Sequence, residues 1–213
     1  MRYSLTSFCA VFVLACSVTL TVQAVPISGL FNTGVDGGGN AWGAGGIPDI
    51  HYTALHIPST TNFVPVTVTD TAYPFPPWVP NNANSRWIGP RPNGDGPSGA
   101  YGYRTTFNLP ANANLSTVMI SGAWATDNFG SNIRINGIPT GQTSLFFTAL
   151  TPFNITSGFN IGLNTLDFLL NNAGGPTGLR VDRIQGKYDL IPEPGTCILA
   201  ALGLGGMLMR RRT

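Results

Sequence analysis

Aromatic rings and planar hydrogen-bonding groups crowd one stretch, YPFPPWVPNNANSRWIGPRPNGDGPSG, from Tyr73 to Gly99. It carries Tyr73, Phe75, Trp78 and Trp87 among Asn81, Asn82, Asn84, Arg86 and Arg91. Binding a sugar needs that mixture: a ring to stack on the apolar face of a pyranose, and a few polar groups for its hydroxyls. Pro74, Pro76, Pro77 and Pro80 stiffen the stretch and lower the ordering cost of binding. Trp78, Arg86 and Trp87 are therefore candidate ligand-binding residues. So are Asp127 and Asn128, which follow Trp124 where a predicted strand ends. Each has a purely structural alternative. Trp78 and Trp87 could plug the ends of a β-sandwich, and Trp87 and the mid-strand Trp124 are better placed for packing. Asp127 and Asn128 could cap a corner by accepting backbone amides.

Catalytic chemistry finds little support. Neither Gly-x-Ser-x-Gly nor His-Glu-x-x-His occurs. Glycoside hydrolysis needs two positioned carboxyls. The one glutamate, Glu193, lies in a proline-rich tail motif, and the aspartates form no evident pair. A non-enzyme is expected. Asp36 to Asn40 and Asn93 to Gly96 could be imagined as structural calcium loops, but neither has EF-hand spacing, and both read as ordinary turns. His51 and His56 fall on opposite faces of a predicted strand and offer no shared metal site. No cofactor is expected.

The two ends of the chain differ from its middle. Arg2 precedes an apolar run from Leu5 to about Leu20, and Val22-Gln23-Ala24 is a small-x-small cleavage pattern. That is a secretory signal peptide over residues 1–24, cut by signal peptidase between Ala24 and Val25. An uncleaved helix fits less well, because serines and threonines dilute the run. Val13 to Cys16 only loosely resembles a lipobox. At the other end, Pro192-Glu193-Pro194 precedes a 14-residue apolar run, Thr196 to Met209, and then Arg210, Arg211 and Arg212. A helix of that length reaches only about 20 Å, short of a hydrocarbon core of about 30 Å. It reads as a short transmembrane stop whose arginines stay cytoplasmic.

Without the ends, seven basic residues face eight acidic ones, so the +2 of the whole chain belongs to its termini. A nucleic-acid partner has no electrostatic support. Cys9, Cys16 and Cys197 all lie in the terminal segments, leaving residues 25–190 without a disulfide or a thiolate metal site. That middle is one domain in length, poor in Glu and Lys, and rich in Gly, Pro, Asn and Thr.

Period-two alternation runs through it. Tyr101, Tyr103, Thr105, Phe107 and Leu109 share one face of a strand. Val118, Ile120, Gly122 and Trp124 line another, with both faces largely apolar. Ile133 and Ile135 lead into Asn136-Gly137, a tight-turn signal. Leu166, Phe168 and Leu170 mark a further strand, with Asp167 off its apolar face and able to pair with an arginine such as Arg180. In the last strand the apolar parity flips between Arg183 and Ile184, which predicts a bulge. DIHYTALHI and NFVPVTVT add two strands, the second at an edge because of Pro65. The pattern predicts an all-β, two-sheet antiparallel sandwich, a jelly roll.

Two resemblances sharpen these expectations. The Pro-Glu-Pro triplet, apolar helix and arginine cluster, in that order behind a signal peptide, resemble the PEP-CTERM sorting signal over residues 191–213. That resemblance implies processing by exosortase, a membrane enzyme, in a Gram-negative bacterium that makes extracellular polysaccharide. The chain would pass the inner membrane and reach the cell surface or matrix. Between Ser85 and Asp182, SRWIGP, YGYRTTFNLP, SGAWATDNFGSNIRINGIPTG, FNIGLNTLDFLLNN and GLRVD are similar in order to galactose-binding-domain-like modules. This implies a β-sandwich of a kind often used for carbohydrate. A structural or adhesive matrix component without a sugar site is the competing expectation, and a polysaccharide hydrolase a more distant one.

Overall fold

The computed structural model describes residues 24–56 and 64–191. The signal-peptide segment through Gln23, the Pro192-Glu193-Pro194 motif, the apolar run and Arg210 to Arg212 lie outside the described residues. Ala24 is exposed, and Val25 opens the first strand.

Eleven strands make up the described fold. They are β1 (Val25–Pro26), β2 (Thr53–His56), β3 (Val66–Thr67), β4 (Ile88–Gly89), β5 (Gly99–Leu109), β6 (Ala113–Asp127), β7 (Phe129–Ile135), β8 (Ile138–Pro139), β9 (Thr151–Ile155), β10 (Gly162–Asn172) and β11 (Gly178–Leu190). A six-stranded sheet has the order β3-β4-β11-β6-β9, with β1 also on β11; a five-stranded sheet has the order β2-β5-β10-β7-β8. All pairings are antiparallel. The expected pair of antiparallel sheets is present.

Alternation decides what each sheet buries. Tyr101, Tyr103, Thr105, Phe107 and Leu109 on β5 are all 2 % exposed or less. They meet Val118, Ile120 and Trp124 of β6, Leu166, Phe168 and Leu170 of β10, and Leu179 and Val181 of β11 in one cluster. Each large apolar side chain so buried is worth about 1.5–3 kcal/mol against exposure. With no cysteine in residues 25–191, that burial has no disulfide to help it.

Local rules set the register. Asn136 and Gly137 both have positive φ, 51° and 82°, as a two-residue hairpin between β7 and β8 requires. The β6–β11 ladder slips between Asp182 and Gln185, with Arg183 at φ 53°, where the parity flip predicts a bulge. The free edge of β9 is covered by an amide side chain. Gln142 Nε2 donates to the Asn154 carbonyl at 2.7 Å, and the Asn154 N–H donates to Gln142 Oε1 at 3.3 Å. Edge strands need some such protection.

Two expectations are corrected. Among the described residues of NFVPVTVT, Val66–Thr67 form the strand, shorter than expected but at the expected edge. Pro65 has no N–H to pair, and the Val68 N–H donates to the Trp87 carbonyl at 2.8 Å outside the ladder. Asp167 pairs with Arg104, not Arg180: Nε and Nη2 donate to its two carboxylate oxygens at 2.6 and 2.8 Å. Arg104 is its register partner on β5, whereas Arg180 belongs to the other sheet.

Strand direction gives the sandwich two unlike ends. β6 runs from Ala113 to Asp127 and β11 returns from Gly178 to Leu190; β5 runs from Gly99 to Leu109 and β10 returns from Gly162 to Asn172. One end therefore gathers Gly99, Asp127, Phe129, Asn172 and Gly178. The other gathers Leu109, Ala113, Gly162 and Leu190, with Val25 paired nearby to Tyr188.

Candidate functional site

On the outer face of the six-stranded sheet, small Ala125 leaves room that the proline-rich stretch fills. Val68, Trp78, Trp87 and Ala125 form a second apolar cluster there, flanked by Phe75, Val79, Phe147 and Leu150. The two indoles lie 4.1 Å apart between centroids, and Phe75 meets Trp78 edge-on at 5.6 Å. Gly178 is needed beneath them, since a Cβ there would come within 2.9 Å of the Trp78 ring and of the Ile88 carbonyl oxygen.

Trp78 is only 2 % exposed and Trp87 is fully buried. Of the two alternatives, a platform or a plug, this is the packed one for both tryptophans: filling the space over Ala125 removes both rings from solvent. Their polar edges are also spent. Trp78 Nε1 donates to Asp127 Oδ2 at 2.7 Å, and Trp87 Nε1 to the Val79 carbonyl at 2.9 Å.

Arg86 is likewise internal. Its Nη2 lies 2.9 Å from Asp70 Oδ2, and its Nη1 donates to the Trp42 carbonyl at 3.0 Å. Burial works to raise the Asp70 carboxyl, but the Asn81 amide and the Arg86 guanidinium outweigh it and hold it below its usual value. Arg86 ties together the glycine-rich and proline-rich segments, and its Nε is buried without a hydrogen-bond partner among the described residues.

Asp127 is 4 % exposed. Oδ2 takes the Trp78 indole, while Oδ1 is buried with no hydrogen-bond partner. Burial pushes its carboxyl from 3.8 up to about 6, although the indole hydrogen bond works the other way. Asn128 turns the corner. Its Oδ1 accepts the Ala173 N–H at 2.6 Å, which anchors the loop between β10 and β11, and its N–H donates to the Asn171 carbonyl at 3.3 Å. Its Nδ2 makes no hydrogen bond among the described residues, and the residue is half-buried.

The structure brings Asp127 and Asn128 together with aromatic residues that periodicity does not single out. Phe129, next in sequence, is 42 % exposed, and Phe146 is 47 % exposed. Their rings lie 6.2 Å apart, inclined by 60°. The loop bearing Phe146 is held at this end by the Val79 N–H, which donates to the Phe147 carbonyl at 2.7 Å, and by the Ser144 N–H, which donates to the Gly130 carbonyl at 3.0 Å. The signal for these rings is SLFFTAL, two adjacent phenylalanines in an apolar-rich segment outside the predicted strands. Tyr73, on the neighbouring proline-rich loop, is 68 % exposed. Solvent-facing aromatic area has thus moved from the tryptophans to Phe129, Phe146 and Tyr73.

Carboxylates in the two turns considered for calcium are engaged within their own turns. Asp36 Oδ1 accepts the N–H groups of Gly38 and Asn40, each at 2.9 Å. Asn93 Nδ2 donates to Asp95 Oδ2 at 2.7 Å, and Asn93 Oδ1 accepts the Asp95 N–H at 3.1 Å. Among the described residues, no group of three or more His, Cys, Asp or Glu could hold a metal ion. His51 stacks on Phe31 with centroids 3.7 Å apart.

The fold and this end define an all-β, two-sheet antiparallel sandwich with exposed aromatic residues on the loops at one end. No family model matches the chain, and no curated protein matches it. Among solved structures it is similar to CBM35 from Paenibacillus barcinonensis: 16 % identity over 49 % of this chain and 81 % of that one, at a TM-score of 0.31. It is also similar to a family 35 carbohydrate binding module from Clostridium thermocellum, at 14 % identity over 52 % and 79 % of the two chains and the same TM-score of 0.31.

Asp127 makes a pH prediction. Between pH 3.8 and about 6 the folded state holds a proton that the unfolded chain has released. Stability is therefore greatest below that window and falls as pH rises through it, by on the order of 2 kcal/mol. Urea titrations from pH 4 to 7 should show this decline, and Asp127→Asn should flatten it. An unchanged slope in the variant assigns the effect elsewhere.

Proposed function

We propose that this chain is an exported surface or extracellular-matrix protein, sorted through a PEP-CTERM signal, whose jelly-roll sandwich binds carbohydrate at its loop end. Signal peptidase removes residues 1–24. Exosortase engages Pro192-Glu193-Pro194 while the apolar run and Arg210 to Arg212 hold the chain in the inner membrane of a Gram-negative bacterium. The domain is non-enzymatic, and its ligand is an extracellular polysaccharide.

One observation carries the binding reading: Phe129 and Phe146 stay exposed at the corner where Asn128 keeps its Nδ2 free. Burying such rings against the apolar face of a sugar recovers stabilisation that solvent exposure forgoes. Asn128 is fixed through Oδ1, so its Nδ2 is positioned in advance for a hydroxyl. The strand order and the ordered pieces between Ser85 and Asp182 that resemble galactose-binding-domain-like modules support the same reading.

A second reading, a structural or adhesive matrix component without a sugar site, is favoured by a different fact. Trp78, Trp87, Arg86 and Asp127 are all buried inside the protein.

A glycan array probed with the full chain separates the two. Carbohydrate binding that Phe146→Ala and Asn128→Ala each weaken by about tenfold, roughly 1.4 kcal/mol, supports the first. A silent array supports the second. Sorting is tested in the native host: Pro192→Ala with Glu193→Ala should block tail processing and surface delivery. Unchanged delivery would reduce the tail to a plain anchor.

A further inference from the structure

The end of the sandwich opposite Asn128 exposes a group of aliphatic side chains. Ile161 and Leu163, at the start of β10, are 43 % and 63 % exposed; Leu190 and Ile191, where β11 gives out, are 39 % and 52 % exposed. The two pairs come from different sheets but from one end. Gly162 is the register partner of Leu109 and Ala113 that of Leu190. Only Pro110, Ala111 and Asn112 separate those two pairings, and the Ile191 N–H donates to the Asn112 carbonyl at 2.8 Å. No Asp, Glu, Lys or Arg occurs in residues 110–117 or 156–165, while Lys187, exposed, and Asp189, half-buried, lie just before Leu190 on β11. Exposed aliphatics grouped at one end are what a soluble surface usually avoids.

The chain leaves the sandwich at this same end. Five Cα steps separate Ile191 from Thr196, where the apolar run begins, a reach of at most about 18 Å. The headgroup zone on one side of a bilayer takes roughly 6–8 Å of that. β6 alone is 15 residues long, about 50 Å at strand rise. A domain of that length on so short a tether keeps its tail end toward the membrane.

We infer that Ile161, Leu163, Leu190 and Ile191 form a seat for the lipid bilayer surface, holding the sandwich upright with Asn128, Phe129 and Phe146 pointing away from the membrane. The inference rests on the reading that the tail inserts. The tether then places Pro192-Glu193-Pro194 in the headgroup zone, between the folded domain and the apolar run. Seating hides apolar area that water would otherwise face, with Lys187 beside it on β11.

The test uses the chain from Val25 to Thr213 in phosphatidylethanolamine/phosphatidylglycerol vesicles containing brominated lipid. A fluorophore is placed on native Cys197, or, in a Cys197→Ser background, on Asn160→Cys beside the seat or Thr148→Cys at the loop end. The expected result is quenching at 197 and 160 and none at 148. Ile161→Ser with Leu163→Ser and Ile191→Ser should abolish quenching at 160 and leave it intact at 197; all three residues are exposed, so the core is untouched. Quenching at 197 without quenching at 160 overturns the seat and leaves the anchored tail standing. No quenching at 197, with a chain that does not float with vesicles, overturns the anchored tail and the seat with it.

Discussion

The antiparallel ladder between β6 and β11 is the constraint on which the other features depend. Its inward positions, Trp124 and Val181, belong to the main core, while the outward Ala125 and Arg180 form the floor under the proline-rich segment. Arg180 is 1 % exposed. Its Nε donates to Ser85 Oγ at 2.9 Å, its Nη1 reaches the Val79 and Pro80 carbonyls, and Nη2 lies 3.9 Å from Asp182. Burial lowers the pKa of this guanidinium, and Asp182 works to raise it. A buried cation keeps its place only when its donors are used, and here they fasten a long irregular segment across a sheet. The same ladder carries Asp127 to one end and Leu190 to the other.

Much of the framework was legible in the sequence because two-residue periodicity is a direct record of which face is buried. The Tyr101 to Leu109 face, the Asn136-Gly137 turn and the bulge at Arg183 all follow from short-range rules. The site was less legible. Aromatic residues in a loop signal a platform or a plug equally well, and the choice depends on what lies beneath. Ala125 lies beneath Trp78 and Trp87, and a small residue on an outer sheet face invites large ones to cover it. Asp167 took Arg104 because register, which periodicity alone does not number, set those two residues opposite each other. Phe129 and Phe146 were hidden for the converse reason: they lie far apart in the chain, and backbone bonds such as Val79–Phe147, Ser144–Gly130 and Thr126–Phe146 fold the loop to that end.

The two ends of the sandwich are therefore chemically unlike. At the loop end, buried charges at Asp127, Arg86 and Arg180 hold loops in place, and aromatic rings and a carboxamide face solvent. At the tail end, Ile161, Leu163, Leu190 and Ile191 face solvent, with Lys187 and Asp189 the charges beside them on β11.

Backbone chemical-shift mapping of the full chain in detergent, titrated with oligosaccharides from bacterial extracellular polysaccharide, tests carbohydrate binding at the loop end. Shifts are expected at Asn128, Phe129 and Phe146, with the indole N–H of Trp87 unmoved. Saturable binding with shifts confined to the open sheet face around Met119, Gln185 and Lys187, and none at the loop end, would contradict it.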